Sequence, residues 1–210
     1  MSKAPAVTLV DTGMGNLRSV SRALVRAGAD VQVTDAPSAI EAAERLVVPG
    51  QGGFSECASA LAGGLGDAIS AYIATGRPYF GICLGMQILF DSSEEAPGAS
   101  GLGIVKGSVQ RLDPGADPDE PGRRLKVPHM GWNQVSGAHP LLPSGEWFYF
   151  VHSYHCVPDD PALTIGVAEY GQSICAAVAR DNIFACQFHP EKSQHAGAAM
   201  LRRFVEGTWS

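Results

Sequence analysis

The stretch Tyr79–Gln87, YFGICLGMQ, decides how this chain folds. Pro78–Ile82 reads as a buried apolar strand and Leu84–Phe90 as a helix. Between them, Gly81 and Gly85 stand two residues either side of Cys83. Where a chain turns this sharply from strand to helix, the central side chain is left standing out. The flanking glycines remove the Cβ atoms that would collide with the turning backbone. At the start of a helix, Cys83 would also meet partial positive charge, which favours thiolate over thiol. The competing reading is a core cysteine in a glycine-rich turn, because cysteine is among the most buried residue types. Cys57, Cys156, Cys175 and Cys186 lack this setting, and Cys186 alternates with Phe184 and Phe188 as a core residue does.

Upstream, the same strand–helix alternation repeats. Ala6–Val10 is a short apolar strand ending in the turn DTGMG. Asn16 caps a helix whose Leu17, Val20, Leu24 and Ala27 recur at helical spacing until Gly28 stops it. Asp30–Thr34 and Leu46–Val48 read as strands, with a short helix from Pro37 between them. After PGQGGF a longer helix is expected, carrying Leu61, Leu65, Ile69 and Tyr72 on one face and ending at Gly76. Strands and helices alternating in this way predict a largely parallel sheet covered on both faces.

Beyond Phe90 the pattern changes. Ile104–Leu112, Glu146–His152, Leu163–Tyr170, Ser173–Ala179 and Ile183–His189 are strand-like and separated by Gly, Pro and Asp turns. Asp113–Arg124, DPGADPDEPGRR, is too polar and proline-rich to pack and is expected as an exposed, mobile loop. A last helix covers about Gln194–Gly207, with Leu201, Phe204 and Val205 inward. No internal repeat is visible, and 210 residues fit one domain. The predicted class is α/β, a mostly parallel central sheet flanked by helices, with an antiparallel layer added in the second half.

Composition narrows the function. With 45% hydrophobic and 17% charged residues the chain is not disordered overall, and a net charge of −6 argues against nucleic acid or an anionic membrane surface as main partner. No apolar run approaches the roughly 18 residues of a membrane span, and the N-terminal segment is too short for a signal h-region with a cleavage site. Five cysteines without a CxxC pair point away from zinc and redox chemistry, and free thiols without an export signal fit the cytoplasm.

Two further segments bear on chemistry. FACQFHPEKS supplies His189 and Glu191 at the end of a strand, and Pro190 keeps His189 extended, so the two side chains point the same way. Glu191 can then hold one imidazole nitrogen while the other exchanges a proton with Cys83. Taken alone, HPE reads more readily as a surface turn. VVPGQGGF places Pro49, Gly50, Gln51 and Gly52 directly after the third strand, where a backbone N–H can face an oxyanion together with the amide of Leu84. The commoner use of such a run is a tight turn that needs glycine. It matches no phosphate-loop or dinucleotide fingerprint. All three segments end strands of one sheet, where open α/β sheets bind their ligands.

With these segments in place, the chain resembles class I glutamine amidotransferases, and among them the glutaminase subunits of imidazole glycerol phosphate synthases. The resemblance runs through GMGNLRSV, VPGQGGF, GICLGMQILF, SSEEAPG, GLGIVKG, PHMGWNQV, FYFVHSYH and FHPEKS; PHMGWN, SEEAPG and the lysine after HPE point to that subunit. It implies Cys83 as nucleophile, His189 as general base and acid, Glu191 as orienting carboxylate, and the amides of Gln51 and Leu84 as oxyanion donors. It further implies that Gln87, Ser153 and Tyr154 hold substrate glutamine, with Gly50 and Gly52 lining the pocket. Asn16, Trp132, Tyr149 and Lys192 are implied at an interface with a (β/α)8-barrel synthase subunit in a heterodimer. That partner would use the ammonia to make imidazole glycerol phosphate and aminoimidazole carboxamide ribotide in histidine biosynthesis, with no metal or organic cofactor in the glutaminase. Thr12 departs from the family's bulkier aromatic, and His129, His152 and His155 are read as structural. The alternatives are a glutaminase serving another synthase, for pyridoxal phosphate or anthranilate, or a silent regulatory subunit.

Overall fold

The computed structural model describes residues 3–117 and 122–208. Its first half follows the alternation read from the pattern: β1 (Ala6–Val10), α1 (Leu17–Arg26), β2 (Asp30–Thr34), α2 (Pro37–Glu41), β3 (Leu46–Gly50), α3 (Phe54–Leu61), α4 (Leu65–Ala74), β4 (Tyr79–Cys83) and α5 (Leu84–Gln87). Then come β5 (Ser92–Ser93), β6 (Gly107–Arg111), β7 (His129–Gly137), β8 (Glu146–His152), β9 (Tyr154–Pro158), β10 (Thr164–Glu169), β11 (Ser173–Arg180), β12 (Ile183–Cys186) and α6 (Gln194–Glu206).

Five strands run parallel in the order β2-β1-β3-β4-β12. From β12 the same sheet continues antiparallel through β11, β10, β7 and β8, while β9 pairs with β11 and carries β6 on its other side. The antiparallel part therefore extends the parallel sheet rather than lying apart from it. Period-two alternation divides the core in two. Val47, Phe80 and Phe184 pack with Val20 and Leu24 of α1 and with Leu201, Phe204 and Val205 of α6. Leu46, Val48 and Tyr79 pack with Phe54, Ile69 and Tyr72 of α3 and α4 on the opposite face. The Phe80 ring lies 5.2 Å from both Phe184 and Phe204, and each such buried ring contributes roughly 2–3 kcal/mol.

Three expectations are corrected. The long helix before Gly76 is two helices, broken at Gly63 and Gly64, where Gly64 takes φ +92° and the axes meet at 81°. The helix after Cys83 stops at Gln87 rather than Phe90, because residues 102–105 capture the next carbonyls: Leu102 N donates to Ile88 O, Val105 N to Leu89 O and Gly103 N to Phe90 O. The final strand ends at Cys186, so His189 stands three residues beyond it. The segment Asp113–Arg124 is tied down at its ends by an antiparallel Ala116–Arg124 bridge and by Leu125 N donating to Gly115 O, while residues 118–121 lie outside the described residues. Strand β7 is invisible to periodicity, since its outward Met130 and Trp132 are as apolar as a core face. Among the described residues, no single helix is long and apolar enough to cross a membrane.

Candidate active site

The turn after β4 is strained where the chemistry is expected. Cys83 takes φ 55° and ψ −107°, a conformation that costs a non-glycine residue on the order of 1–3 kcal/mol. Close packing holds it there. A Cβ on Gly81 would come 2.5 Å from Gly85 O, one on Gly85 would collide with Val48 O, and Tyr79 Oη donates to Gly85 O at 2.7 Å. With only four residues, α5 builds little dipole, so support for a negative sulfur comes from neighbouring side chains instead. Cys83 opens onto the cavity described below. The other four thiols are buried elsewhere, and burial pushes Cys57 up to about 12 and Cys175 up to about 11.

The neighbour that can support a negative sulfur is His189, with Glu191 bound to its far side. Pro190–Lys192 forms one 3-10 turn after His189, and the imidazole Nδ1 lies 2.8 Å from Glu191 Oε1 with both side chains almost wholly buried. Burial alone would push the imidazole pKa down; hydrogen bonding and charge from Cys83 and Glu191 outweigh it and raise the value to about 9. Nε2 is buried without a hydrogen bond of good geometry, so Cys83 acts on it through a looser contact that still favours imidazolium. Such contacts commonly tighten only when substrate binds. The backbone around the triad is anchored to β8: His189 N donates to Tyr149 O, and Tyr149 N donates to Ser193 Oγ.

A cavity of about 390 Å³ joins these elements. Cys83, His189, Gln51, Gly52, Leu84, Gln87, Ser153 and Tyr154 all line it, as the sequence reading expects. Gly50 does not. It lies beneath Leu84, where an added Cβ would sit 2.6 Å from Leu84 Cβ, and borders instead a void of about 10 Å³ behind the triad. Asn16 borders that void too, while its side chain accepts from Ser19 N to cap α1. Three further residues escape the sequence reading. Glu95, within SSEEAPG, lines the cavity and accepts from Phe54 N at 2.8 Å. His152 also lines it, and Gln187 donates to Cys83 Sγ at 3.5 Å. The doubled acid before a proline turn was the visible signal for Glu95; nothing local marks the other two. Among the described residues, no three His, Cys, Asp or Glu side chains converge so as to hold a metal ion.

Beside the cavity mouth, Trp132 of β7 is 44% exposed and meets Tyr149 of β8 edge-on at 6.1 Å. Lys192 Nζ stands 5.7 Å over the Tyr149 ring and also borders the cavity. Met130 and Trp147, 62% and 53% exposed, extend the same face of the hairpin.

Residues 8–207 match the glutamine amidotransferase class-I family. The chain is 48% identical to the imidazole glycerol phosphate synthase subunit HisH of Syntrophotalea carbinolica, over 94% of this chain and 98% of that one. It is 51% identical to the subunit of the same name from Thiobacillus denitrificans, over 97% and 91%. Among solved structures, a glutamine amidotransferase superposes with TM-score 0.73 at 19% identity, covering 95% of this chain and 97% of that one. PurLQS from Thermotoga maritima gives 0.71 at 18%, covering 98% and 99%. A strained cysteine at a strand end, a buried His–Glu pair across a cavity and these likenesses together give the assignment: the chain belongs to the class I glutamine amidotransferases, in the branch of the HisH subunits of imidazole glycerol phosphate synthase.

Proposed function

We propose that this single-domain chain is the glutaminase subunit of an imidazole glycerol phosphate synthase and that Cys83, His189 and Glu191 carry the hydrolysis. One observation carries the reading: a buried imidazole, held by a carboxylate at 2.8 Å, shares a substrate-sized cavity with a strained cysteine.

With the proton on His189, the Cys83 sulfur attacks the carboxamide carbon of glutamine, and the carbonyl π electrons move onto oxygen. The amides of Gln51 and Leu84 face that oxyanion; such a donor typically contributes about 3 kcal/mol. The intermediate collapses, the C–N bond breaks, and His189 protonates the departing nitrogen as ammonia. Water then gives a proton to His189 and attacks the thioester, the C–S bond breaks, and glutamate leaves. Gln87, Ser153 and Tyr154 hold the substrate, and Glu95 adds a carboxylate on the same wall.

Ammonia passes to the partner, a (β/α)8-barrel synthase subunit in a heterodimer, which makes imidazole glycerol phosphate and aminoimidazole carboxamide ribotide for histidine biosynthesis in the cytoplasm. Asn16, Trp132, Tyr149 and Lys192 form the docking face. Cys83→Ala should abolish glutamine-dependent synthesis and leave ammonium-dependent synthesis intact. Loss of both, or hydrolysis supported only by some other synthase, would overturn the reading.

A further inference from the structure

Gln187 lies between the last strand and His189 and is fully buried, where every polar atom of an amide needs a partner. Its orientation follows from one backbone carbonyl. Tyr154 O lies 2.8 Å from His152 Nδ1 and 3.3 Å from Gln87 Nε2, and since a carbonyl only accepts, both must present N–H groups. That sets the Gln87 amide with its nitrogen inward, where it also donates to Gln187 Oε1 at 3.0 Å. The Gln187 oxygen is thereby engaged, and its NH₂ is turned onto Cys83 Sγ at 3.5 Å. The histidine side is equally determined. With His152 Nδ1–H given to Tyr154 O, the neutral ring has only an acceptor left at Nε2, which takes the Nδ1–H of His129 at 2.9 Å. Burial keeps both rings neutral, pushing His129 down to about 4 and His152 down to about 3.

We propose that Gln187 is a hydrogen-bond donor to the nucleophile, holding the Cys83 sulfur as thiolate and aiming it into the cavity, with its own amide oriented from the Tyr154 carbonyl through Gln87. The inference rests on the glutaminase reading for its consequence in turnover, and on distances alone for its effect on the sulfur. A buried amide whose oxygen and nitrogen both contact groups of the site has no packing role that methionine would not fill equally well.

The test compares the full-length chain with Gln187→Met, which keeps length and bulk and removes the donor. Carboxamidomethylation of Cys83 by iodoacetamide is followed peptide by peptide, from about pH 6 to about pH 10, and steady-state hydrolysis is measured with the synthase subunit bound. The expected result is a roughly tenfold slower modification near neutrality with a midpoint moved up by about one pH unit, the weight of one hydrogen bond to a charged atom. kcat should fall about tenfold with KM within about threefold. An unchanged rate and midpoint, or a loss carried by KM alone, would overturn the proposal. If Gln187→Met does not fold by thermal melting, Gln87→Met decides: the freed Gln187 amide should slow modification about threefold, and no change there overturns it equally. A wild-type complex that hydrolyses no glutamine would defeat the glutaminase reading while leaving the alkylation profile to judge Gln187.

Discussion

The parallel and antiparallel halves of the sheet treat polar groups in opposite ways. Strands β3 and β4 are buried along their whole length, and before Cys83 the Tyr79 hydroxyl is their one polar side-chain group, satisfied by Gly85 O. In the β7–β8 hairpin the inner face sets His129 opposite His152, while the outer face shows Met130, Trp132 and Trp147 to solvent. The first half is a vise that keeps one backbone position strained. The second half lines the cavity on one side and leaves an apolar face exposed on the other, the face proposed above to dock the partner. Catalysis needs both, because a nucleophile fixed by packing is useful only beside groups that respond to what enters the cavity.

The sharpest way to break the comparison is to loosen the vise. Gly85→Ala puts a methyl group into the Val48 carbonyl, so α5 must move away from β3 directly after the nucleophile. The expected loss is at least about 3 kcal/mol of unfolding free energy, read as a lower urea midpoint, together with loss of glutamine hydrolysis. A fully stable Gly85→Ala would mean the strain at Cys83 does not depend on this packing.

The antiparallel half should fail by pH instead. An unfolded histidine takes up its proton near 6.5, whereas folded His129 and His152 hold off until about 4 and about 3. Between these values the folded state binds fewer protons, so stability falls as pH drops below 6.5 and stops falling once both rings are protonated. His189 runs the other way: its contribution is complete below 6.5 and is lost as pH rises toward 9. A loss on the order of 5 kcal/mol by about pH 4.5 is expected from urea titrations, and His129→Gln should roughly halve that limb.

The same contrast explains what the sequence discloses. The elbow and the His189–Glu191 turn were legible because their causes are local: glycines two residues either side of Cys83, and a proline after His189. The helix dipole invoked for Cys83 was not, because tertiary bonds from residues 102–105 end α5 after Gln87. Gln187 and His152 gain their roles from residues distant in the chain or across the hairpin, Cys83 being 104 positions from Gln187, and no window of sequence contains both partners. Strand β7 hides because its exposed outward face carries Met130 and Trp132 and so reads like a core face. Gln51 and Leu84, expected from a glycine-rich strand end and a nucleophile turn, both line the same cavity.

A milder change sharpens the boundary between the halves, since Glu191 sits where the parallel sheet hands over to the cavity. Glu191→Gln keeps an acceptor for His189 Nδ1–H but removes the negative charge that favours imidazolium. The imidazole pKa should drop from about 9, and because the leaving nitrogen needs a protonated His189, the alkaline limb of kcat should move to lower pH. At neutral pH the ring stays largely protonated and the loss is small, while near pH 10 it reaches roughly tenfold, with the limb displaced by about one unit. An alkaline limb that stays in place would separate His189 from the titration.

The smallest effect on the chain itself belongs to Trp132. Its ring is almost half exposed and its edge-on contact with Tyr149 lies outside both core clusters, so Trp132→Ala should shift the unfolding free energy of the isolated chain by no more than about 0.5 kcal/mol. If the hairpin's outer face is the docking surface, the same substitution weakens association with the synthase subunit by about tenfold, as truncating an aromatic anchor does. Calorimetric melting and titration with the partner read the two quantities separately. A large fall in stability with unchanged affinity would make Trp132 a core residue, and the apolar outer face of β7 would then need an explanation inside the fold rather than beyond it.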